Sequence, residues 1–351
     1  MESIVSHAIM DPPENSTDGG QVMEDEQIRL KQTLGVVVVF VVAYILLFIV
    51  CVIGNSLVCL VIAKIPRMRT VTNFYILNLA VGDLLVGIFS MPFTLADNII
   101  MGWPFGYVMC KLSSAATVIS AGASVFTLIA IAVDRFYAVI HPNEPKFTSE
   151  HNGVVIAIIW ALAVIFAIPQ VVVMDTRPYV SADDNSTYTL CVETWPNYFK
   201  REIYTVLLFV ILYMLPLCII GYLYLRVGFK VWCRPVPGGG ERNNASRRKY
   251  RTIKMLLVVV VCFAVSWLPI HTVMLINDCG NPSIEQRNII YYYVFPIAHW
   301  FSYLQSSINP VIYGYFNRNY RRGFTEFSST LRRTLSGGHG VGRRSLPTPQ
   351  L

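Results

Sequence analysis

Seven long stretches of this sequence carry almost no charge, and they decide what the chain can fold into. Residues 32–63, 112–133, 153–174, 203–225 and 255–277 contain no Asp, Glu, Lys or Arg; residues 71–96 contain only Asp83, and residues 288–317 are uncharged but hold His299. A helix needs about 20 apolar residues to cross a hydrocarbon layer of about 30 Å, and in lipid its backbone must satisfy its own hydrogen bonds. Each block meets both demands, whereas helices of a soluble bundle carry a polar face over such lengths. The chain is 54% hydrophobic and only 14% charged, against about a quarter charged in ordinary soluble domains. The predicted fold is an all-α membrane protein, a seven-transmembrane helix bundle.

Basic residues at the block ends set the orientation. Residues 1–26 hold seven acids and no Lys or Arg, whereas Lys64, Arg67 and Arg69 follow the first block. Nine basic residues against Glu241 lie between Arg226 and Lys254, and seven arginines against Glu326 follow Phe316. Seven crossings put all these basic segments on one side, so the N-terminus is expected outside and the tail in the cytosol. The net charge of +7 is therefore a topology signal, and a nucleic-acid partner, which needs a soluble basic face, is not expected. The first 30 residues lack the basic start and apolar core of a cleavable signal, so the first block is expected to act as its own signal anchor.

Cysteines and glycan acceptors follow this topology. Cys110 and Cys191 fall on the oxidising side, where a disulfide persists, and are predicted to pair. Cys51, Cys59, Cys218 and Cys262 lie inside blocks as packing residues; Cys233 is cytosolic, and Cys279 is outside with no evident partner. Asn15 and Asn185 head outer glycosylation motifs, whereas the motif at Asn244 is cytosolic and is expected to stay unmodified. The expected organisation is an extracellular disordered N-terminus over residues 1–31, a seven-transmembrane bundle over 32–316, a short amphipathic eighth helix over 317–327, and a disordered cytosolic tail over 328–351. The amphipathic reading rests on arginines interleaved with Tyr320, Phe324 and Phe327.

Polar groups at membrane depth are expensive and point to function. Asn55 stands in Gly-Asn-Ser-Leu-Val, Asp83 in Leu-Ala-Val-Gly-Asp-Leu-Leu, and Asp134-Arg135-Phe136 ends the third block. Trp160 marks the fourth block, Pro216 the fifth, residues 262–269 (Cys-Phe-Ala-Val-Ser-Trp-Leu-Pro) the sixth, and Asn309-Pro-Val-Ile-Tyr313 the seventh. One in every block and in order, these resemble the motif set of rhodopsin-like G-protein-coupled receptors over about residues 35–327. A finer resemblance, to receptors for neuropeptide FF and related RFamide peptides, rests on residues 73–80, Met101-Gly-Trp-Pro-Phe, residues 124–136, Cys191-Val-Glu-Thr-Trp-Pro and Ala298-His-Trp-Phe. SIFamide, orexin and neuropeptide Y receptors are similar in several of these places.

The resemblance assigns roles. It implies that Asp134 holds Arg135 at rest and releases it to a heterotrimeric G protein on activation, the alternative being an Arg that snorkels at the interface. Lys249 stands where some relatives carry an acid facing Arg135, so a cross-helix ionic lock is not expected. Asp83, Ser120, Ser124 and Asn309 are implied to form an allosteric sodium pocket, or else a dry hydrogen-bond network. Pro216, Val125, Phe263 and Trp267 correspond to a packing switch, Pro269 and Pro310 to kinks, and Tyr224 and Tyr313 to hydroxyls that move inward.

For the ligand, Thr117 stands where amine receptors keep an Asp and Tyr303 where opsins keep a lysine, which argues against amines and retinal. Asp278 and Glu193 are implied to hold the Arg of an Arg-Phe-amide peptide, or are ordinary loop charges. Thr94, Thr117, His271, His299, Tyr213 and Trp300 line the pocket or pack helices. No catalysis and no obligatory cofactor are expected. Expected partners are a peptide ligand, a G protein, arrestin and a receptor kinase acting on Ser328, Ser329, Thr330, Thr334 and Ser336, with the plasma membrane bilayer around the bundle. A seven-helix transporter or pump is the rival from another class, but it needs more ionisable residues at midplane than Asp83 and His299.

Overall fold

A computed structural model describes residues 29–141, 149–181, 186–232, 241–316 and 318–336. The elements run α1 (Leu34–Lys64), α2 (Val71–Phe89), α3 (Met91–Ile99), α4 (Gly106–Ile140), α5 (Ser149–Val173), β1 (Met174–Val180), β2 (Thr187–Glu193), α6 (Tyr198–Phe209), α7 (Leu215–Trp232), α8 (Glu241–Cys279), α9 (Ile284–Ile289), α10 (Phe295–Phe316) and α11 (Arg318–Ser336). Among the described residues, six spans are long and apolar enough to cross a bilayer: Leu34–Lys64, Val71–Ile99, Gly106–Ile140, His151–Val173, Tyr198–Lys230 and Ile253–Cys279. The seventh crossing is α9 and α10 with the turn between them, packed against α1 and α8. Its inner face is polar, with Ser302, Gln305, Ser306, Ser307 and Asn309 all buried there.

The bundle is apolar outside and polar within. Leu34, Val39, Val172, Leu225 and Val265 are exposed, while Asn55, Asp83, Thr127 and Asn309 are fully buried. A soluble protein would reverse this pattern; lipid in place of water explains it. The buried amides tie helices together. Asn78 donates to Thr127 Oγ1 at 2.7 Å and accepts from Trp160 Nε1 at 2.7 Å, and Asn55 donates to the Ser306 carbonyl at 2.9 Å. At Gly54, a Cβ would lie 2.8 Å from Pro310 Cγ, so the first and seventh crossings touch backbone to ring. Gly54→Ala is expected to cost about 1–3 kcal/mol by overpacking this contact, read as a lower Tm of the purified receptor in detergent.

Prolines explain two widened turns. The π segments Val210–Met214 and Ile290–Val294 end two residues before Pro216 and Pro296. A proline returns no hydrogen bond to the carbonyl four residues earlier, and π turns absorb such breaks. The Tyr292 carbonyl, four before Pro296, is taken instead by Gln32 Nε2 at 2.9 Å.

Several expectations are corrected. Residues 29–31, read as the end of a disordered N-terminus, form a strap: Leu30 bridges Ile100, Lys31 N donates to the Ile99 carbonyl at 2.9 Å, and Met101 N donates to the Arg29 carbonyl at 2.8 Å. The strap holds because it pairs with main chain far along the sequence. The amphipathic helix continues past Phe327 to Ser336, since Leu331 and Leu335 carry on the spacing of Phe324 and Phe327. It docks closely: a Cβ on Gly323 would lie 2.9 Å from Val61, and Tyr320 is buried. The all-α bundle stands, and the second outer loop adds an antiparallel hairpin, β1 with β2. Asn15, Asn185 and Cys233 lie outside the described residues, as do the side chains of Asn244, Lys249, Thr330, Thr334 and Ser336.

Candidate functional site

The outer end of the bundle is organised by the hairpin. Cys191 on β2 is disulfide-bonded to Cys110 at the start of α4, with Cα atoms 5.6 Å apart. Trp103 packs on this bridge with Met174 and donates its backbone N–H to the Thr189 carbonyl at 2.6 Å. Gly102, at φ +95°, permits that turn where a side chain would be strained. The hairpin thereby brings Glu193 at its end over the fifth and sixth crossings.

There the two predicted acids meet. Asp278 is buried at 3% exposure; its Oδ2 accepts from Thr205 Oγ1 at 2.6 Å and its Oδ1 from Asn277 Nδ2 at 2.7 Å. Glu193 accepts from Gln170 Nε2 at 3.0 Å and Trp195 Nε1 at 2.8 Å. Between them stands Arg201, which the sequence reading did not single out. Its Nη2 is 3.0 Å from Asp278 Oδ1 and its Nε 3.4 Å from Glu193 Oε2. Two carboxylates thus share one guanidinium and leave one negative charge over. The available signal was the pair Arg201-Glu202 placed just ahead of an uncharged block; the partners come from distant elements and cannot be read locally.

Beneath the acids lies an aromatic stack. Tyr213 is 5.0 Å from His271, and the rings continue through Trp267 and Phe263, with His271–Trp267 at 6.0 Å and Phe263–Trp267 at 5.9 Å. Tyr213 also donates to the Ala264 carbonyl at 2.8 Å. Across the bundle, Tyr303 hydrogen-bonds Thr94 at 2.8 Å and Ser90 at 3.1 Å, and Ser90 bonds Thr117 in turn. His299 stacks between Phe295 and Tyr303, and its Nδ1 has no hydrogen-bond partner. Trp300 turns elsewhere: its indole donates to the Ala43 carbonyl at 3.2 Å and packs beside Tyr44 and Met91, so it serves the contact with the first helix. The structure therefore groups Asp278 with Glu193, Tyr213 with His271, and Thr94 with Thr117 and Tyr303.

At mid-depth, Asn309 Nδ2 donates to Asp83 Oδ2 at 2.9 Å, while Ser120 Oγ donates to the Gly82 carbonyl at 2.8 Å. Asp83 Oδ1, Ser124 Oγ and Asn309 Oδ1 are buried without partners. Oxygens left over in this way are the donor type that a hard cation takes, so the residues present fit a sodium ion. Val125, Phe263 and Pro216 are buried in the main core, and the Tyr313 hydroxyl is buried without a partner.

At the cytosolic end, Arg135 pairs with Asp134, its Nε donating to Oδ2 at 3.0 Å. Its Nη2 also reaches Asp134 Oδ2 and Thr72 Oγ1 of the second crossing. Thr72 was not anticipated, since only the fold brings it alongside. Tyr224 is partly buried and packs against the main core. Pro269 and Pro310 sit inside α8 and α10, where each removes one backbone bond.

Residues 54–313 match the family described as 7 transmembrane receptor (rhodopsin family). The chain is 44% identical to neuropeptide FF receptor 2 of Mus musculus over 302 residues, covering 83% of this chain and 72% of that protein. It is 44% identical to neuropeptide FF receptor 1 of Homo sapiens over 321 residues, covering 88% and 74%. Neuropeptide Y receptor type 2 of Sus scrofa is 33% identical over 318 residues, covering 89% and 82%.

Proposed function

We propose, since the chain belongs to the rhodopsin family of seven-transmembrane receptors, that it is a multi-pass plasma-membrane receptor for a neuropeptide ending in Arg-Phe-amide. The observation that carries the ligand reading is the acid pair, Glu193 with Asp278, set at the outer end above an aromatic stack. A guanidinium paired with carboxylates away from water makes a strong, directional contact, and the rings of Tyr213, His271 and Trp267 suit a peptide's aromatic terminus. The names of the 44%-identical relatives support the same class.

The mechanism is a shift between two states. At rest Arg135 is held by Asp134 and Thr72; bound peptide favours the state in which Arg135 leaves them and meets a heterotrimeric G protein. The receptor itself performs no catalysis, because nucleotide exchange occurs on the G protein. Arrestin engages the tail once a receptor kinase has phosphorylated it, Ser328 and Ser329 being the described candidates. Asp83, Ser120, Ser124 and Asn309 would hold a sodium ion, which would supply fixed positive charge favouring the resting state.

The test is nucleotide exchange on a G protein in membranes carrying this chain, challenged with a panel of amidated peptides. Response to Arg-Phe-amide peptides supports the reading; response only to peptides lacking that arginine overturns it. For the ion, sodium is expected to lower agonist affinity about fivefold or more, as in a typical coupling of two sites, and to have no effect in Asp83→Asn. Equal sodium sensitivity in the two receptors would remove the ion from the account.

A further inference from the structure

The acid pair that awaits a ligand's arginine already holds one of the chain's own. Both oxygens of Asp278 are engaged, one by Arg201 and Asn277 and the other by Thr205, and its side chain is only 4% exposed. Glu193 is more open, with 25% of its side chain exposed. Its contact with Arg201 is also the looser, because Arg201 Nε sits 3.4 Å away and makes no aligned hydrogen bond. An incoming guanidinium can therefore reach Glu193 from its open side, whereas Asp278 is closed off by burial behind Arg201.

We infer that Arg201 is a built-in competitor for the ligand's arginine, a latch that peptide binding opens by exchanging one guanidinium for another. This rests on the acid pair being the ligand's anchor. The exchange conserves charge: two carboxylates keep one tight guanidinium partner throughout, so no acid is stripped bare in a partly dry site, a step that would cost several kcal/mol. The order follows from exposure. The ligand's guanidinium first takes the open side of Glu193, Arg201 swings off, and Asp278 then closes on the ligand.

The latch also has a mechanical reading. Arg201 lies in the first turn of α6 and Asp278 at the outer end of α8, so their bond ties the outer ends of the fifth and sixth crossings. The same two crossings carry Pro216 with its π turn, and Trp267 with Pro269. Releasing Arg201 removes the ionic tie between the fifth and sixth crossings and leaves the Thr205–Asp278 hydrogen bond as the weaker link between them. A peptide whose arginine is replaced by citrulline, a neutral isostere, has nothing to exchange and leaves the tie in place.

A ligand that binds only an open minority state loses affinity in proportion to that fraction. With the latch closed in about nine molecules of ten, Arg201→Gln gains about tenfold. The experiment measures saturation and competition binding of an Arg-Phe-amide peptide and its citrulline analogue to wild type, Arg201→Gln and Arg201→Lys, with surface expression counted separately. Arg201→Gln is expected to bind the arginine peptide about tenfold more tightly, with the citrulline analogue unchanged and Arg201→Lys in between. If wild type prefers arginine to citrulline but Arg201→Gln binds the arginine peptide no better or worse, the latch is overturned and the anchor stands. If wild type does not distinguish the two peptides, the anchor falls and the latch with it. Should Arg201→Gln fail to reach the surface, Arg201→Lys decides, since a single ammonium holds two carboxylates less well than a planar fork.

Discussion

A receptor with Arg135→Ala is expected to bind peptide with near-wild-type affinity and to lose agonist-stimulated nucleotide exchange almost entirely. Arg135 is a cation on the inner end of α4, half-buried, and among the described residues its holders at rest are Asp134 beside it and Thr72 across from it. Its removal takes nothing from the outer site, which is built from β2, α6 and α8. What it removes is the charge that the G protein receives once the resting pair opens. Truncating one partner of a desolvated, hydrogen-bonded charge contact costs about 2–5 kcal/mol, so exchange should fall at least about thirtyfold. Radioligand binding and nucleotide exchange on the same membranes separate the two ends. A variant that still drives exchange at the wild-type rate would show that the G protein is met by other residues.

The second large effect belongs to Asp278. Asp278→Ala is expected to weaken an Arg-Phe-amide peptide by about 30-fold or more, the cost of leaving a guanidinium without its buried partner, about 2–5 kcal/mol. The substitution also deprives Arg201 of its tighter contact and Thr205 of its acceptor, so part of the loss arises in the free receptor. Asp278→Asn keeps the shape and the hydrogen-bond acceptor while removing the charge, and it should lose nearly as much. Affinity unchanged in both variants would exclude Asp278 from the anchor.

Much of this organisation is legible in the residues, for physical reasons. Uncharged runs reveal crossings because lipid penalises charge everywhere along a helix, and sidedness narrows the outer cysteines to Cys110, Cys191 and Cys279. Asp83 and Asn309 stand out because a polar group at that depth is rare. What was missed depends on partners distant in sequence. The fifth crossing begins at Tyr198, ahead of its uncharged block, because Arg201 is neutralised inside the protein by Glu193 and Asp278. A hydropathy reading ends the helix at such a charge. The strap at residues 29–31 exists only through main-chain pairing with residues 99–101. The hairpin did leave a trace, since Thr187-Tyr-Thr-Leu-Cys-Val is rich in β-branched and aromatic residues, and the π turns are foretold by Pro216 and Pro296. Trp300 shows the opposite limit. Being aromatic and near the outer end made it a pocket candidate, but its place on the helix circumference turns it towards the Ala43 carbonyl.

The most direct measurement is a thermodynamic cycle that pairs Asp278→Asn in the receptor with arginine-to-citrulline in the peptide, read as equilibrium affinity in all four combinations. If Asp278 receives the peptide's guanidinium, either change alone removes the contact and the second adds little, leaving a coupling of about 2 kcal/mol or more between them. Two losses that simply add would mean that carboxylate and guanidinium never meet, and would contradict the account at its centre.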